Sequence, residues 1–388
     1  MIKKKSLLSY WWNKLRTPWR NYRHAKRLLH WIPQSLLNPI PPLDSRHLVI
    51  IRLDDIGDYL LFRNCLPEYQ NIYPDFTITL IGNQVWKELA ETWDLKYVHH
   101  FIWVDKSKFR NDISYRNSIF SSLATLTADT VIAPAYCRDV FLEDSIAAVI
   151  PAKHKWAWDQ KDYLPWKKKF QEKVFTQLIP DTDIPIFMGE INLAFMNRVG
   201  MKESKFINKL GFPLNSEKPI NPYIVVFPGA GARQKMWAIN NYIEIIHKLV
   251  ETRFRIKICG GPGDLALGER IQREFINTNR VENLCGKTNL VELGNLLGNA
   301  SLIITNDTSA AHFAGIAKTK VIVILNGNNY GAFFPYPKDY TNLNCIYPPD
   351  IANELNAHAY LHWKGAGEMN GISVNQVWEK IIKELITL

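Results

Sequence analysis

A chain of 388 residues and 44.9 kDa is more than one hydrophobic core usually serves, so two domains are expected. Hydrophobic residues at 47% and charged ones at 22%, with 20 Gly and 21 Pro spread along the chain, exclude disordered, collagenous and low-complexity architectures. The formal charge of +10 is local: residues 1–30 hold nine Lys and Arg and no acid, leaving 38 bases against 37 acids, so no nucleic-acid partner is expected for the folded body.

In that basic head Leu8, Trp12, Leu15, Trp19, Tyr22, Leu29 and Ile32 recur every three or four residues, the pattern of an amphipathic helix. Thr17-Pro18 opens a second helical piece, because Pro is tolerated at a first helical position. Trp11, Trp12, Trp19 and Trp31 suit a headgroup interface and the bases attract anionic lipid. The apolar stretches fall far short of the roughly 18 residues a membrane span needs. Residues 1–32 are therefore expected to lie on an anionic membrane surface; the alternative is a helix packed on the body with solvated bases. Pro33, Pro39, Pro41 and Pro42 mark a linker over 33–45, placing the start of the fold near Arg46.

From Arg46 apolar, β-branched runs alternate with helical patterns, the rhythm of a parallel α/β sheet. Strands are predicted at His47–Leu53, Thr77–Ile81, His100–Val104, Thr130–Pro134 and Ala148–Ile150. Lys153 to Lys173, with seven Lys and five aromatics, reads as an irregular basic surface, and a helix is predicted over Gly189–Leu210. The alternation restarts with strands at Tyr223–Phe227, Arg255–Cys259, Ser301–Thr305 and Val321–Leu325. This gives an amino-terminal Rossmann-like domain over 46–205, a connection over 206–222, and a second Rossmann-like domain over 223–370. A carboxyl-terminal helix follows over 371–388. Ligand should bind in the cleft facing the carboxyl ends of both sheets. Five scattered cysteines without a C-x-x-C pair fit a reducing cytoplasm and give neither a disulfide framework nor a zinc site.

Chemistry-bearing residues follow the predicted strands. After the first comes Asp54-Asp55-Ile56-Gly57-Asp58, where Asp58 either takes a proton from a substrate hydroxyl or caps the next helix. Pro228-Gly229-Ala230 and Lys235-Met236-Trp237 follow a strand in the second half. There small residues allow an anion to approach the backbone, and Lys235 either neutralises a phosphate or is simply solvated. Gln234 stands where a dinucleotide fingerprint needs Gly, which disfavours a nicotinamide dehydrogenase built on Gly229, Gly231 and Asp264. Gly260-Gly261-Pro262-Gly263-Asp264 puts a carboxylate where ribose hydroxyls are often bound, or merely in a turn. Asn306-Asp307-Thr308-Ser309-Ala310-Ala311-His312 opens a helix with small residues, a natural diphosphate site, with Asp307 fixing the loop or holding sugar hydroxyls and His312 either at the site or packed in the helix. Gly286-Lys287-Thr288 lacks the earlier Gly of a P-loop, and Asp181-Thr182-Asp183 lies in a proline-flanked connection, so no metal is expected.

In order along the chain these motifs resemble glycosyltransferase family 9, the bacterial lipopolysaccharide heptosyltransferases. The resemblance covers about residues 46–388 and includes Leu284-Cys285-Gly286-Lys287-Thr288-Asn289-Leu290 and Gly371-Ile372-Ser373-Val374 as well as the segments above. It departs from the family's pattern at Ser309 and at Asn326-Gly327-Asn328-Asn329. The resemblance implies a GT-B fold of two facing Rossmann-like domains, with the last helix returning toward the first. It implies inverting, metal-free transfer of a sugar, a heptose from an ADP-linked donor, to a lipopolysaccharide-core or related glycolipid, with no cofactor. Asp58 becomes the catalytic base. Gly229, Lys235, Gly261, Asp264, Asp307, Thr308, Ser309, Ala310 and His312 become the donor site. Lys153, Lys155, Trp156 and Trp158, in the basic aromatic stretch of the first half, are expected to meet a phosphorylated acceptor; a solvated loop is the alternative. The enzyme is expected on the cytoplasmic face of the membrane. A non-catalytic nucleotide-sugar binder would keep the second-half motifs but need no Asp58.

Overall fold

The computed structural model describes residues 21–28, 30–37, 39–40, 45–160, 164–199, 221–337, 342–352, 355 and 367–387. The amino-terminal sheet contains β1 (His47–Arg52), β2 (Thr77–Asn83), β3 (His100–Val104), β4 (Ala128–Ala133), β5 (Ala152–Asp159) and β6 (Gln177–Pro180). Their spatial order is β3-β2-β1-β4-β5-β6 and all pairings are parallel. Parallel sheets are covered on both faces, which is why β1 reads as a continuous apolar run over Leu48–Ile51. Leu48 and Ile50 enter one core cluster, while Val49 and Ile51 enter another on the opposite face. The covering helices are α1 (21–28), α2 (Ile56–Phe62), α3 (Leu66–Ile72), α4 (Lys87–Trp93), α5 (Lys106–Asn111), α6 (Ile113–Leu123), α7 (Ser145–Val149), α8 (Pro165–Val174) and α9 (Met188–Arg198).

The second sheet is β12-β11-β10-β7-β8-β9, also parallel, from β7 (Tyr223–Phe227), β8 (Arg255–Ile258), β9 (Val281–Asn283), β10 (Leu302–Asn306), β11 (Val321–Ile324) and β12 (Leu343–Ile346). Helices α10 (Ile239–Val250), α11 (Leu265–Glu274), α12 (Leu290–Gly298), α13 (Ser309–Ala317), α14 (Pro349–Ala352) and α15 (Val374–Ile386) belong to this half. The two domains are not merely tethered. Trp93 of α4 reaches across to Phe313 of α13, and a Cβ on Gly294 of α12 would lie 3.0 Å from the Trp93 ring. One apolar cluster spans both halves, and the Met188 N–H donates to the Ala332 carbonyl across the divide.

Four expectations are corrected. Ala148–Ile150 is not a strand: Ala148 lies in the buried helix α7, because a three-residue apolar run carries no period with which to separate helix from strand. Lys153–Lys173 is not irregular; it supplies edge-proximal β5 and helix α8, flanking residues 161–163, which lie outside the described residues. The last helix does not return to the first domain. Its Val377 and Ile381 enter the second domain's core, and Glu384 holds Lys320 and Asn344. Finally, the fold begins before Arg46: Leu28, Trp31 and Ile32 are part of the first domain's core. The expected helix continuation over 200–210, most of the connection over 206–222, and residues 1–20 of the basic head lie outside the described residues.

Candidate active site

The carboxyl ends of β1, β7, β8 and β10 converge on a cleft of about 660 Å³ between the domains. Its first-domain wall is the start of α2. Asp55 is the N-cap and Asp58 lies in the first turn, so Asp58 does not occupy the capping position. Asp55 instead pairs with Lys106 at 2.6 Å. Asp58 is half-buried in this cleft, and burial followed by the neighbouring Asp54 charge pushes its carboxyl up to about 7; Arg52 opposes the shift. Buried Arg52 is itself fixed by Asp54 at 2.7 Å and by Asn192 at 3.0 Å.

The facing wall comes from the second domain. Lys235 pairs with Asp307 at 2.6 Å, both half-buried or nearly so. Asn329, assigned with its amide oxygen toward Lys235, lies 3.3 Å from Nζ. Thr308 is the N-cap of α13, its hydroxyl accepting from the Ala310 N–H and its carbonyl from the Ala311 N–H, both at 3.2 Å, so of the first turn it is Ser309 that faces the cleft. Asn306 holds the architecture together: its amide donates to the Pro228 and Gly229 carbonyls at 2.8 and 3.1 Å and accepts from the Trp237 N–H at 3.1 Å. Asp264 accepts from the Gly261 N–H at 2.9 Å and lies so close to the loop after β7 that a Cβ on Gly229 would stand 2.2 Å from its carboxylate. Only glycine permits that approach.

His312 is buried, with Nδ1 2.6 Å from the Tyr336 hydroxyl and its ring stacked 4.9 Å from Phe334. Burial holds its pKa down to about 4, against the raising charge of Asp307 and with a smaller lowering from Lys235, so the imidazole is neutral at pH 7. Asp58, Lys235, Asp264, Asp307, Thr308, Ser309 and His312 all line the one cleft. Gly229, Gly261 and Ala310 stand behind it: Gly229 under Asp264, Gly261 beside the next groove, and Ala310 fully buried.

The expected acceptor residues are elsewhere. Trp158 is wholly buried in the first domain's core, and Lys155 is buried with Nζ donating to the Ala147 carbonyl at 2.8 Å. Lys153 lies 3.9 Å from Asp129 and Trp156 beside His154, both on β5 and neither in the cleft. Alternation along β5 explains why their charge and aromatic content misleads: the strand turns successive side chains to opposite faces. A cavity of about 290 Å³ that sequence reasoning passed over opens beside Asp58 instead, lined by Asp54, Lys106, Arg110, Cys137, Asp139 and Glu143. Burial, with Asp54 next in weight, pushes the Glu143 carboxyl up to about 8. The available signal was Lys106 and Arg110 at helical spacing directly after a strand. Among the described residues no group of three or more His, Cys, Asp or Glu side chains is arranged to hold a metal, and Asp181 instead accepts from the Tyr136 hydroxyl at 3.0 Å.

Two Rossmann-like domains whose sheet ends face each other across a charged cleft define the GT-B class of glycosyltransferases. Residues 199–355 match the family model for glycosyltransferase family 9 (heptosyltransferase). Lipopolysaccharide heptosyltransferase 3 of Escherichia coli K12 is 23% identical over 298 residues, covering 73% of this chain and 83% of the relative. Lipopolysaccharide core heptosyltransferase OpsX of Haemophilus influenzae is 26% identical over 352 residues, covering 86% and 95%. Among solved structures, a family 9 glycosyl transferase from Veillonella parvula superposes with a TM-score of 0.67 at 17% identity, over 89% of this chain and 99% of that one. E. coli heptosyltransferase WaaC with ADP gives 0.66 at 16%, over 87% and 99%. The family match lies in the second half of the chain, and both relatives align with most of its length.

Proposed function

We propose that this protein transfers a heptose from ADP-heptose to a lipopolysaccharide-core acceptor, with inversion and without a metal ion. The observation that carries this reading is the opposition of Asp58 to the Lys235–Asp307 pair and the α13 start across one cleft. The diphosphate would displace Asp307 from Lys235 and lie beside Ser309 at the amino-terminal end of α13, so that charge developing on the leaving group meets a cation and the positive end of a helix. Asp264, held in the loop after β8 by the Gly261 N–H, would accept from ribose hydroxyls. Asp58 would remove the acceptor hydroxyl proton while that oxygen attacks the anomeric carbon; the bond to the diphosphate breaks in the same displacement, and a single displacement inverts the centre. A carboxyl with pKa about 7 suits a base working near neutrality. Relatives named as lipopolysaccharide heptosyltransferases and a neighbour solved with ADP support the donor and acceptor classes.

The work site we infer is the cytoplasmic face of the membrane, supported by the nine bases of the amino-terminal segment; among the described residues no helix is long and apolar enough to cross a membrane. ADP release from ADP-heptose, dependent on a core oligosaccharide that lacks the heptose, tests the reaction. Turnover of Asp58→Ala at the wild-type rate, or a strict requirement for added Mg²⁺ after EDTA treatment, would overturn the mechanism.

A further inference from the structure

Trp31 lies behind the small cavity beside Asp58, in a position no catalytic role accounts for. Only 3% exposed, it is held on several sides. Its indole N–H donates to the Phe141 carbonyl at 2.9 Å, and its ring meets Phe141 edge-on at 5.1 Å and Phe109 at 6.3 Å. The guanidinium of Arg116 lies 3.7 Å and that of Arg27, from α1, 4.5 Å from the ring centroid. The two phenylalanines sit on the elements that line the cavity. Phe109 belongs to α5, which supplies Lys106 and Arg110. Phe141 belongs to the π-helical turn Val140–Asp144, which supplies Glu143 and follows Asp139. Those elements are linked on the cavity side by Arg110 to Asp139 at 2.7 Å, and to the catalytic helix by Lys106 to Asp55. A single side chain from the amino-terminal segment thus backs both cavity walls.

We propose that Trp31 is a positioning residue for the acceptor: a wedge that fixes the spacing of α5 and the Val140–Asp144 turn, so that Lys106, Arg110 and Glu143 meet the acceptor with its hydroxyl at Asp58. This rests on the acceptor entering beside Asp58, as the proposed reaction requires. Packed interiors transmit displacements, and small misplacement of a bound reactant lowers rates steeply. The wedge also joins the basic segment to the acceptor site as one structural unit.

The test measures heptose transfer from ADP-heptose to the heptose-lacking core oligosaccharide by the full chain, its Trp31→Ala variant and its Trp31→Phe variant. Direct binding of ADP and of the oligosaccharide is measured by calorimetry alongside. Trp31→Ala should raise the acceptor KM roughly 10-fold or more while the ADP Kd, set in the other domain, stays within about 2-fold. Trp31→Phe keeps an aromatic ring, smaller than the indole, but lacks the N–H to Phe141, and should raise acceptor KM by roughly 3- to 10-fold, about the worth of one hydrogen bond. Unchanged acceptor KM in folded Trp31→Ala, or acceptor and donor constants rising together, would overturn the wedge. If Trp31→Ala does not fold, unchanged acceptor binding in Trp31→Phe overturns it. Absence of wild-type transfer speaks against the proposed reaction alone, and oligosaccharide binding by wild type and Trp31→Phe then decides the wedge.

Discussion

A methyl group on Gly57 would stand 2.6 Å from Cδ2 of His312. The two residues belong to different domains, one in the first turn of the helix that carries Asp58, the other one turn inside the helix that Thr308 caps across the cleft. The imidazole cannot retreat freely, since Tyr336 holds Nδ1 and Phe334 stacks on the ring. The missing Cβ therefore sets how closely the start of α2, with Asp58, approaches the second-domain wall of the cleft.

Gly57→Ala should force the domains apart or the ring off its partners, at a cost of roughly 1–3 kcal/mol in stability. It should also lower kcat, because the widened cleft separates Asp58 from the anomeric carbon. Adding His312→Ala should restore part of both losses. A double-mutant cycle by thermal melting and turnover checks this, and simple additivity would show that the contact does not couple the sites.

Asp58 should impose an acid limb on kcat/KM near pH 7, with activity falling as the carboxyl is protonated below that value. Asp54 raises this pKa, and Asp54→Asn both removes that charge and frees Arg52, so the limb should move to lower pH. Asp58→Ala should lose roughly 10²- to 10⁴-fold in turnover while ADP still binds. A limb that stays in place in Asp54→Asn would assign the titration to a group beyond the reach of Asp54, which excludes Glu143 as well as Asp58.

Much of this was legible in the sequence because strands buried on both faces read as apolar runs, and their carboxyl ends carry the polar residues. Seven of the candidate site residues fall on one cleft for that reason. What was not legible depended on tertiary contacts. β5 hides in a Lys- and Trp-rich stretch whose partners, Ala147 for Lys155 and the Phe195 ring for Trp158, are distant or on another element. The roles of Trp31 and Asn306 likewise need the fold, since one bonds residue 141 and the other residues 228, 229 and 237.

His312 makes stability pH-dependent. Its folded pKa lies near 4 against 6.5 when unfolded, so above pH 6.5 neither state is protonated and nothing is lost. As pH falls from 6.5 to about 4 the unfolded chain takes up the proton first, costing on the order of 3 kcal/mol. Asp58 and Glu143, raised rather than lowered, act in the opposite sense, stabilising the folded state as pH falls through about 7 and 8 toward the ordinary carboxyl range, so the comparison must be made between variants. The stability difference between wild type and His312→Gln in urea should shrink or reverse between pH 6.5 and 4.5. A constant difference would show that the imidazole is not held neutral.

Lys235→Ala should weaken ADP binding by roughly 10- to 100-fold, the range for a hydrogen bond to a charged group, while oligosaccharide binding is unchanged. Asp307→Asn tests the exchange of partners: it removes the ion pair Lys235 makes in the free enzyme, so ADP no longer competes with a carboxylate and should bind at least as tightly as to wild type. Equal weakening of both ligands in Lys235→Ala would place the lysine outside the diphosphate site.

The amino-terminal segment divides into parts that truncation can separate. A chain beginning at Gln34 loses Leu28, Trp31 and Ile32 from the core, and a buried Trp alone is worth roughly 3–5 kcal/mol when truncated, so its melting temperature should fall sharply. A chain beginning at Asn21 keeps α1 and the Trp31 contacts but discards six of the nine bases, Lys3, Lys4, Lys5, Lys14, Arg16 and Arg20, along with Trp11, Trp12 and Trp19. Each base near an anionic surface contributes on the order of 1 kcal/mol, and the aromatic face adds burial. The Asn21 chain should therefore keep wild-type melting and transfer to a soluble oligosaccharide, yet leave anionic vesicles in a co-sedimentation assay. Wild-type vesicle binding should weaken with added salt, because attraction to the surface is screened over about 8 Å at physiological ionic strength. Equal sedimentation of the Asn21 and full-length chains would show that residues 1–20 do not anchor the enzyme.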